Sequence, residues 1–293
     1  MHKNMRLTPG AASVLIILQC IMYGICEPLS KVAFEIMPVF TLLSIRYVFA
    51  LAVMLLIFHK RLMATLKGVR VCDWILPCLC SSGTFLLANI ALHTAAATSV
   101  AFLRSTSVLM TPVLAFFVFR KTPGKRDAVA MLIAIAGLYL LCGYGGLTGF
   151  GLGEIIALIS AFLMAGSLVF AKKTMQTKID PLALTTLQTG TAAVMTLACA
   201  LIFDHGFSVK GATVSVWLTI LYLALGCTLL CFMLQNMALK VLITKQVALL
   251  QTLNPIMTAV FSFLILGELM SPIGFVGAAL ILAGVIFSKL KSE

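Results

Sequence analysis

The chain has 293 residues, 61% of them apolar and only 10% charged, with a mean hydropathy of +1.13. A soluble domain of this size needs far more charge to cover its surface, so the composition excludes a water-exposed globule and leaves an all-α polytopic membrane protein with the lipid bilayer as its main solvent. The net charge of +12 would direct a soluble chain to nucleic acid, but here the basic residues fall in short clusters between apolar runs and read as topology signals, with no nucleic-acid partner.

A spanning helix needs about 20 mostly apolar residues. Ten such runs are predicted, at 11–33, 39–58, 74–93, 98–119, 127–144, 153–172, 181–203, 214–236, 243–266 and 272–289. The first has the basic start of a signal peptide, yet its apolar run continues past Tyr23 and no small-x-small site follows, so a retained helix is expected. Connections are short and several carry Pro or Gly, as at Pro38, Pro123-Gly124, Asp180-Pro181 and Pro272.

Most of the nine cysteines lie in apolar runs, where Cys acts as a small hydrophobe. Cys78 and Cys80, and Cys227 and Cys231, have no His or carboxylate nearby to complete a soft ligand set, so no metal is expected. Gly149 to Gly153 lacks the further Gly and the Lys-Ser/Thr of a phosphate loop, which argues against direct use of ATP. No other cofactor and no enzymatic nucleophile set is expected either.

Setting aside Lys31, Arg46, Arg104 and Lys210, the remaining 17 of the 21 Lys and Arg residues fall on one side of the ten-span topology. That asymmetry predicts both termini in the cytoplasm, in a plasma or inner membrane. The halves also resemble each other. Residues 91–138 slide by 147 positions onto 238–285 without a gap and match at 12 of 48 positions, including Val100/Val247, Met110/Met257, Phe116/Phe263 and Gly137/Gly284. Gly24 and Lys31 fall on Gly166 and Lys173 at a shift of 142. Five helices per half is an odd number, so two inverted repeats are expected, over 11–144 and 153–289, with a site between them at the midplane.

Tyr23-Gly24, Lys31, Pro38 and Arg46 resemble the opening signature of the EamA-type transporters of the drug/metabolite transporter superfamily. The stretch from Gly153-Glu154 to Ala161 resembles the start of the second EamA repeat, and Trp217 to Thr228 together with Leu249 to Gly284 resembles the final helices. The resemblance implies ten transmembrane helices as two inverted five-helix EamA repeats, and alternating-access movement of a small metabolite.

The candidate site residues are those that a bilayer interior tolerates poorly. A charge near the bilayer centre costs roughly 2.5 to 3.5 kcal/mol on insertion scales, so Glu27, Lys31, Arg46 and Arg104 are expected to face protein or a water-filled path. Glu27 and Lys31, four apart with the acid first, are placed to pair on one helical face. Glu27 is the candidate for binding a substrate ammonium or exchanging a proton, and Lys31 for holding an anionic group; the bland alternative is an ion pair that only packs the first helix. Arg46 and Arg104 add cations in the outer third of the first half. Arg46 could instead snorkel and pair with Glu35 or a lipid headgroup. Asn89, Gln246, Gln251 (the mapped partner of Arg104) and Asn254 supply amides to orient substrate, with ordinary helix packing as the alternative. Pro112 and Pro255 are expected helix break points.

The expected function is therefore secondary transport, in the outward direction, of a small polar metabolite such as an amino acid or organic anion, with Glu27, Lys31, Arg46 and Arg104 setting the charge of the pathway and a proton as the candidate coupled ion. The competing readings are an uncoupled facilitator on the same fold and an intramembrane lipid enzyme; the latter would need a convergent nucleophile or metal set that the sequence lacks.

Overall fold

The computed structural model describes residues 8–120, 151–177, 179–204, 213–251, 253–269 and 271–289, together with 129–130, 132–133, 135–137 and 139–140. Within these lie α1 (Pro9–Phe34), α2 (Val39–Leu66), α3 (Val71–Thr94), α4 (Ala97–Phe119), α5 (Leu152–Thr174), α6 (Pro181–Phe203), α7 (Val214–Val241), α8 (Gln246–Leu266) and α9 (Pro272–Lys289). Among the described residues α1 to α8 are long and apolar enough to cross a membrane, and α9 adds a shorter apolar stretch, Pro272–Gly284. Half of the predicted span at 127–144 lies outside the described residues; the positions described there are helical.

Helix starts are set by polar side chains that accept the first free backbone N–H groups. Thr8 caps α1. Five carboxylates do the same elsewhere: Asp204 for α2 at Thr41, Asp73 for α3, Glu268 for α4 at Ala97 and Thr98, Glu154 for α5 and Asp180 for α6. Proline opens α1 and α6, where its missing N–H costs nothing. Threonines inside α6, such as Thr185, Thr189 and Thr196, donate to carbonyls one turn back and so carry no unmet polar group into the membrane.

Among the described residues three spans depart from regular α-helix. α4 is interrupted at Thr106, where the Ser105 and Thr106 hydroxyls bond the Phe102 and Leu103 carbonyls and compete with the helical ladder. The break thus comes ahead of Pro112, which lies inside the second segment. α8 is interrupted at Gln251; Pro255 has no N–H for the Gln251 carbonyl, which takes the Asn254 N–H instead at 3.0 Å. α7 widens into a π-helical stretch, Leu223–Leu230, in which the Thr228 hydroxyl donates to the Leu223 carbonyl five residues earlier.

The main helix pairs join the two halves of the chain: α1 with α7 and α8, α3 with α5, α2 with α6, and α4 with α5 and α8. Gly24 permits the α1–α8 contact, since a Cβ there would sit 2.5 Å from the Met257 Cβ and 2.9 Å from its backbone carbon. Outward faces are apolar and open, as at Leu56, which is 80% exposed, and the corresponding faces of α6 and α8 at Leu201 and Leu264. Such a surface is stable only against lipid.

Backbone hydrogen bonds repeat at the 147-residue offset. Ala95 bonds Ala91 and Leu242 bonds Ala238; Val100 bonds Ala96 and Val247 bonds Ile243; Arg120 bonds Phe116 and Gly267 bonds Phe263. Arg120 and Gly267 share the left-handed conformation, with φ of 56° and 66°. Ala95 packs with Ala33, Phe34 and Met37 at the far end of α1, whereas Leu242 packs with Ala12 and Ile16 at its start. Equivalent turns therefore lie at opposite ends of the bundle. Lys31 donates to the Ala95 carbonyl at 3.2 Å and Lys172 to the Leu242 carbonyl at 3.0 Å, so Lys172 stands where the sequence match put Lys173. Lys173 points outward instead and is exposed.

Candidate substrate cavity

One face of α1 builds the core of the site. Gln19, Tyr23 and Glu27 recur at four-residue spacing, which stacks them along a single side of a helix. Opposite Glu27 stands Arg104, at the end of the first segment of α4. Its Nη1 donates to Glu27 Oε1 at 2.5 Å, and the two residues are 8% and 5% exposed. Arg104 also lies over the Phe85 ring of α3, 5.7 Å from the centroid, and its Nη2 is 3.9 Å from Met164 Sδ of α5. These soft partners hold the guanidinium without consuming it: Arg104 Nε and Glu27 Oε2 have no protein partner among the described residues.

Arg104 lines three adjoining cavities. The largest, about 460 Å³ of unfilled space, is bounded by Gln19, Tyr23, Phe85, Met164, Gln235 and Gln251 among others. In it the Gln19 and Gln251 amides both donate to Gln235 Oε1, at 2.8 and 2.9 Å. Three buried carbonyl oxygens, Gln19 Oε1, Gln251 Oε1 and Asn254 Oδ1, are left with acceptor capacity. A second cavity of about 300 Å³, towards the far end of α1, is lined by Glu27, Ser30, Arg46 and Asn89. A third, about 260 Å³, lies beside Ser105, Asn254 and Pro255.

The predicted Glu27–Lys31 pair does not form. Each finds a partner elsewhere in the chain: Glu27 takes Arg104 of α4, and Lys31 takes Glu268, just past the end of α8, at 2.8 Å beside the start of α4. Arg46 does not snorkel towards Glu35 either. It is 2% exposed, with Nε donating to Thr228 Oγ1 of the π-helical stretch at 2.8 Å and its guanidinium 5.3 Å from the Tyr47 ring. Asn89 donates back to the Phe85 carbonyl at 2.7 Å and lines the second cavity. Gln251 and Asn254 reach the cavities, but Gln246 is exposed and accepts from the Ile243 N–H at 3.3 Å, at the start of its own helix. Lys31 likewise lines none of the three cavities.

Gln19 and Met164 were not singled out from the sequence. The four-residue spacing of Gln19, Tyr23 and Glu27 was the available signal for Gln19; Met164, an apolar residue in an apolar run, carried none.

A bundle with a lipid-facing exterior, interlocked halves and polar cavities around a buried ion pair is a multi-pass membrane protein of transport type. The EamA-like transporter family model matches residues 10–143 and 151–290, and the chain belongs to that family. It is 25% identical over 274 residues to an uncharacterized transporter of Archaeoglobus fulgidus, covering 94% of this chain and 84% of that one. It is 23% identical over 274 residues to the uncharacterized transporter YetK of Bacillus subtilis, covering 90% and 82%. A solved crystal structure superposes with a TM-score of 0.71 over 96% of each chain at 15% identity, a likeness of fold.

Proposed function

We propose that the chain is a proton-coupled secondary transporter that exports a small polar metabolite bearing a carboxylate, an amino acid or a related organic acid. In this reading it is a ten-helix protein of the plasma or inner membrane with both termini in the cytoplasm, its two repeats exchanging shapes to expose the cavities to either side in turn. The carrying observation is the Glu27–Arg104 pair at the junction of the three cavities.

Arg104 has donors to spare for a substrate carboxylate, and the free oxygens of Gln19, Gln251 and Asn254 suit a donor group such as an ammonium. A carboxylate arriving at Arg104 competes with Glu27 for the guanidinium. Glu27, displaced in a low-dielectric cavity, is stabilised by taking up a proton. Binding of substrate and proton are thereby linked at one residue.

The test is transport in proteoliposomes with a metabolite panel and an internal pH reporter, for wild type and Glu27→Gln. Substrate movement accompanied by protons only when Glu27 is present supports the coupled carrier. Substrate movement without protons in wild type assigns an uncoupled facilitator, and unchanged coupled transport in Glu27→Gln removes Glu27 from the mechanism.

A further inference from the structure

We infer that the second cavity holds a small anionic group, separate from the carboxylate at Arg104, with Arg46 as its anchor. Charge balance leads there. Arg46 and Arg104 line this cavity together with Glu27, so two guanidiniums face one carboxylate and one positive charge is left over. Glu27 is bonded to Arg104, and Arg46 has no ion-pair partner among the described residues. Its neighbours are the Thr228 hydroxyl, which accepts from Nε, and the Cys26 thiol, neither of them a carboxylate, although it is among the most completely buried large side chains of the described residues. A guanidinium taken out of water without a counter-charge is unfavourable, and an anion beside it removes that cost.

The remaining lining suits an anion. Tyr23 Oη is buried without a protein partner, Ser30 Oγ is buried beside the Cys26 thiol, and each can turn an O–H towards it. Thr228, held by the π-helical stretch, takes the Arg46 Nε, and the Arg46 side chain lines the cavity. The same chemistry serves two sources: a free inorganic anion such as chloride, or a second anionic group on a substrate whose first carboxylate sits at Arg104. Only the second source rests on the transport reading.

The test needs no transport. The purified full chain in detergent is titrated with chloride and bromide against gluconate at constant ionic strength, and in parallel with the dicarboxylates malonate to glutarate, while thermal unfolding is followed. A saturable rise in Tm with chloride, weakened severalfold in Ser30→Ala and lost in Arg46→Gln, assigns a free inorganic anion. A saturable rise with a dicarboxylate but not with chloride, equally lost in Arg46→Gln, assigns a second substrate group. Should Arg46→Gln fail to fold, the wild-type chloride-35 NMR line width and its response in Ser30→Ala decide. Equal Tm in all anions overturns the site. So does a response that Ser30→Ala and Arg46→Gln leave unchanged.

Discussion

Glu27 and Arg104, 77 positions apart in the chain, form an ion pair between α1 and α4 in preference to the i,i+4 pair that Glu27 could have made with Lys31. Removing one member strands the other in a buried site. Glu27→Ala or Arg104→Ala is expected to cost about 3 to 5 kcal/mol in stability. The double variant Glu27→Gln/Arg104→Gln should lose clearly less than the sum of its single changes. Thermal unfolding in a fixed detergent and lipid mixture measures both; strict additivity would show that the pair is not coupled.

Thr228 joins the π-helical stretch of α7 to Arg46 of α2. Thr228→Val removes the acceptor from a buried charged donor and is expected to cost about 1.5 to 3 kcal/mol. Thr196→Val is the control, because that hydroxyl bonds only carbonyls of its own helix. Equal losses in the two variants would mean that Arg46 gains nothing from Thr228.

Glu268 caps α4 and receives Lys31 in the same place. Glu268→Ala should lower stability by about 0.5 to 2 kcal/mol through loss of the cap. It should also free the Lys31 ammonium, so that an amine-reactive reagent modifies Lys31 faster than in wild type. Mass spectrometry of the labelled chain checks that directly, and an unchanged labelling rate would contradict it.

Arg120 and Gly267 end equivalent helices in the same left-handed conformation, but only one is glycine. A side chain in that region costs roughly 1 to 2 kcal/mol. Arg120→Gly is therefore expected to raise stability and Gly267→Ala to lower it, each by about 1 kcal/mol. Opposite shifts in Tm for the two variants are the expected readout.

The apolar spans and the 147-residue register were legible because both are written locally, whereas the 142-residue shift was one position off, Lys172 and not Lys173 standing in the place of Lys31. Hydropathy marks each helix, and the 147-residue match reappears as matched backbone bonds from Ala95/Leu242 to Arg120/Gly267. The polar chemistry was legible only as composition. Glu27, Arg46, Asn89, Arg104, Gln251 and Asn254 reach the cavities, but the partners of the charged ones, Arg104 for Glu27 and Thr228 for Arg46, come from helices far away in sequence. Helical spacing shows that Glu27 and Lys31 share a side of α1; it cannot show that Arg104 approaches the one from α4 and Glu268 the other from just past the end of α8. The prolines were a partial guide for the same reason. Pro255 accounts for the break at Gln251, whereas the break in α4 is made by the hydroxyls of Ser105 and Thr106.

Five carboxylates serve helix starts, and Glu27 is the acid that lines a cavity among the described residues. With coupling through Glu27 as proposed, that division sets a ceiling on accumulation. A carrier coupled through one carboxylate exchanges at most one proton by that route in each cycle. In an electroneutral exchange, one unit of pH difference, about 1.4 kcal/mol, then sustains no more than a tenfold ratio of substrate across the membrane. Steeper gradients would require a net charge moved with the cargo, so the membrane potential would also do work.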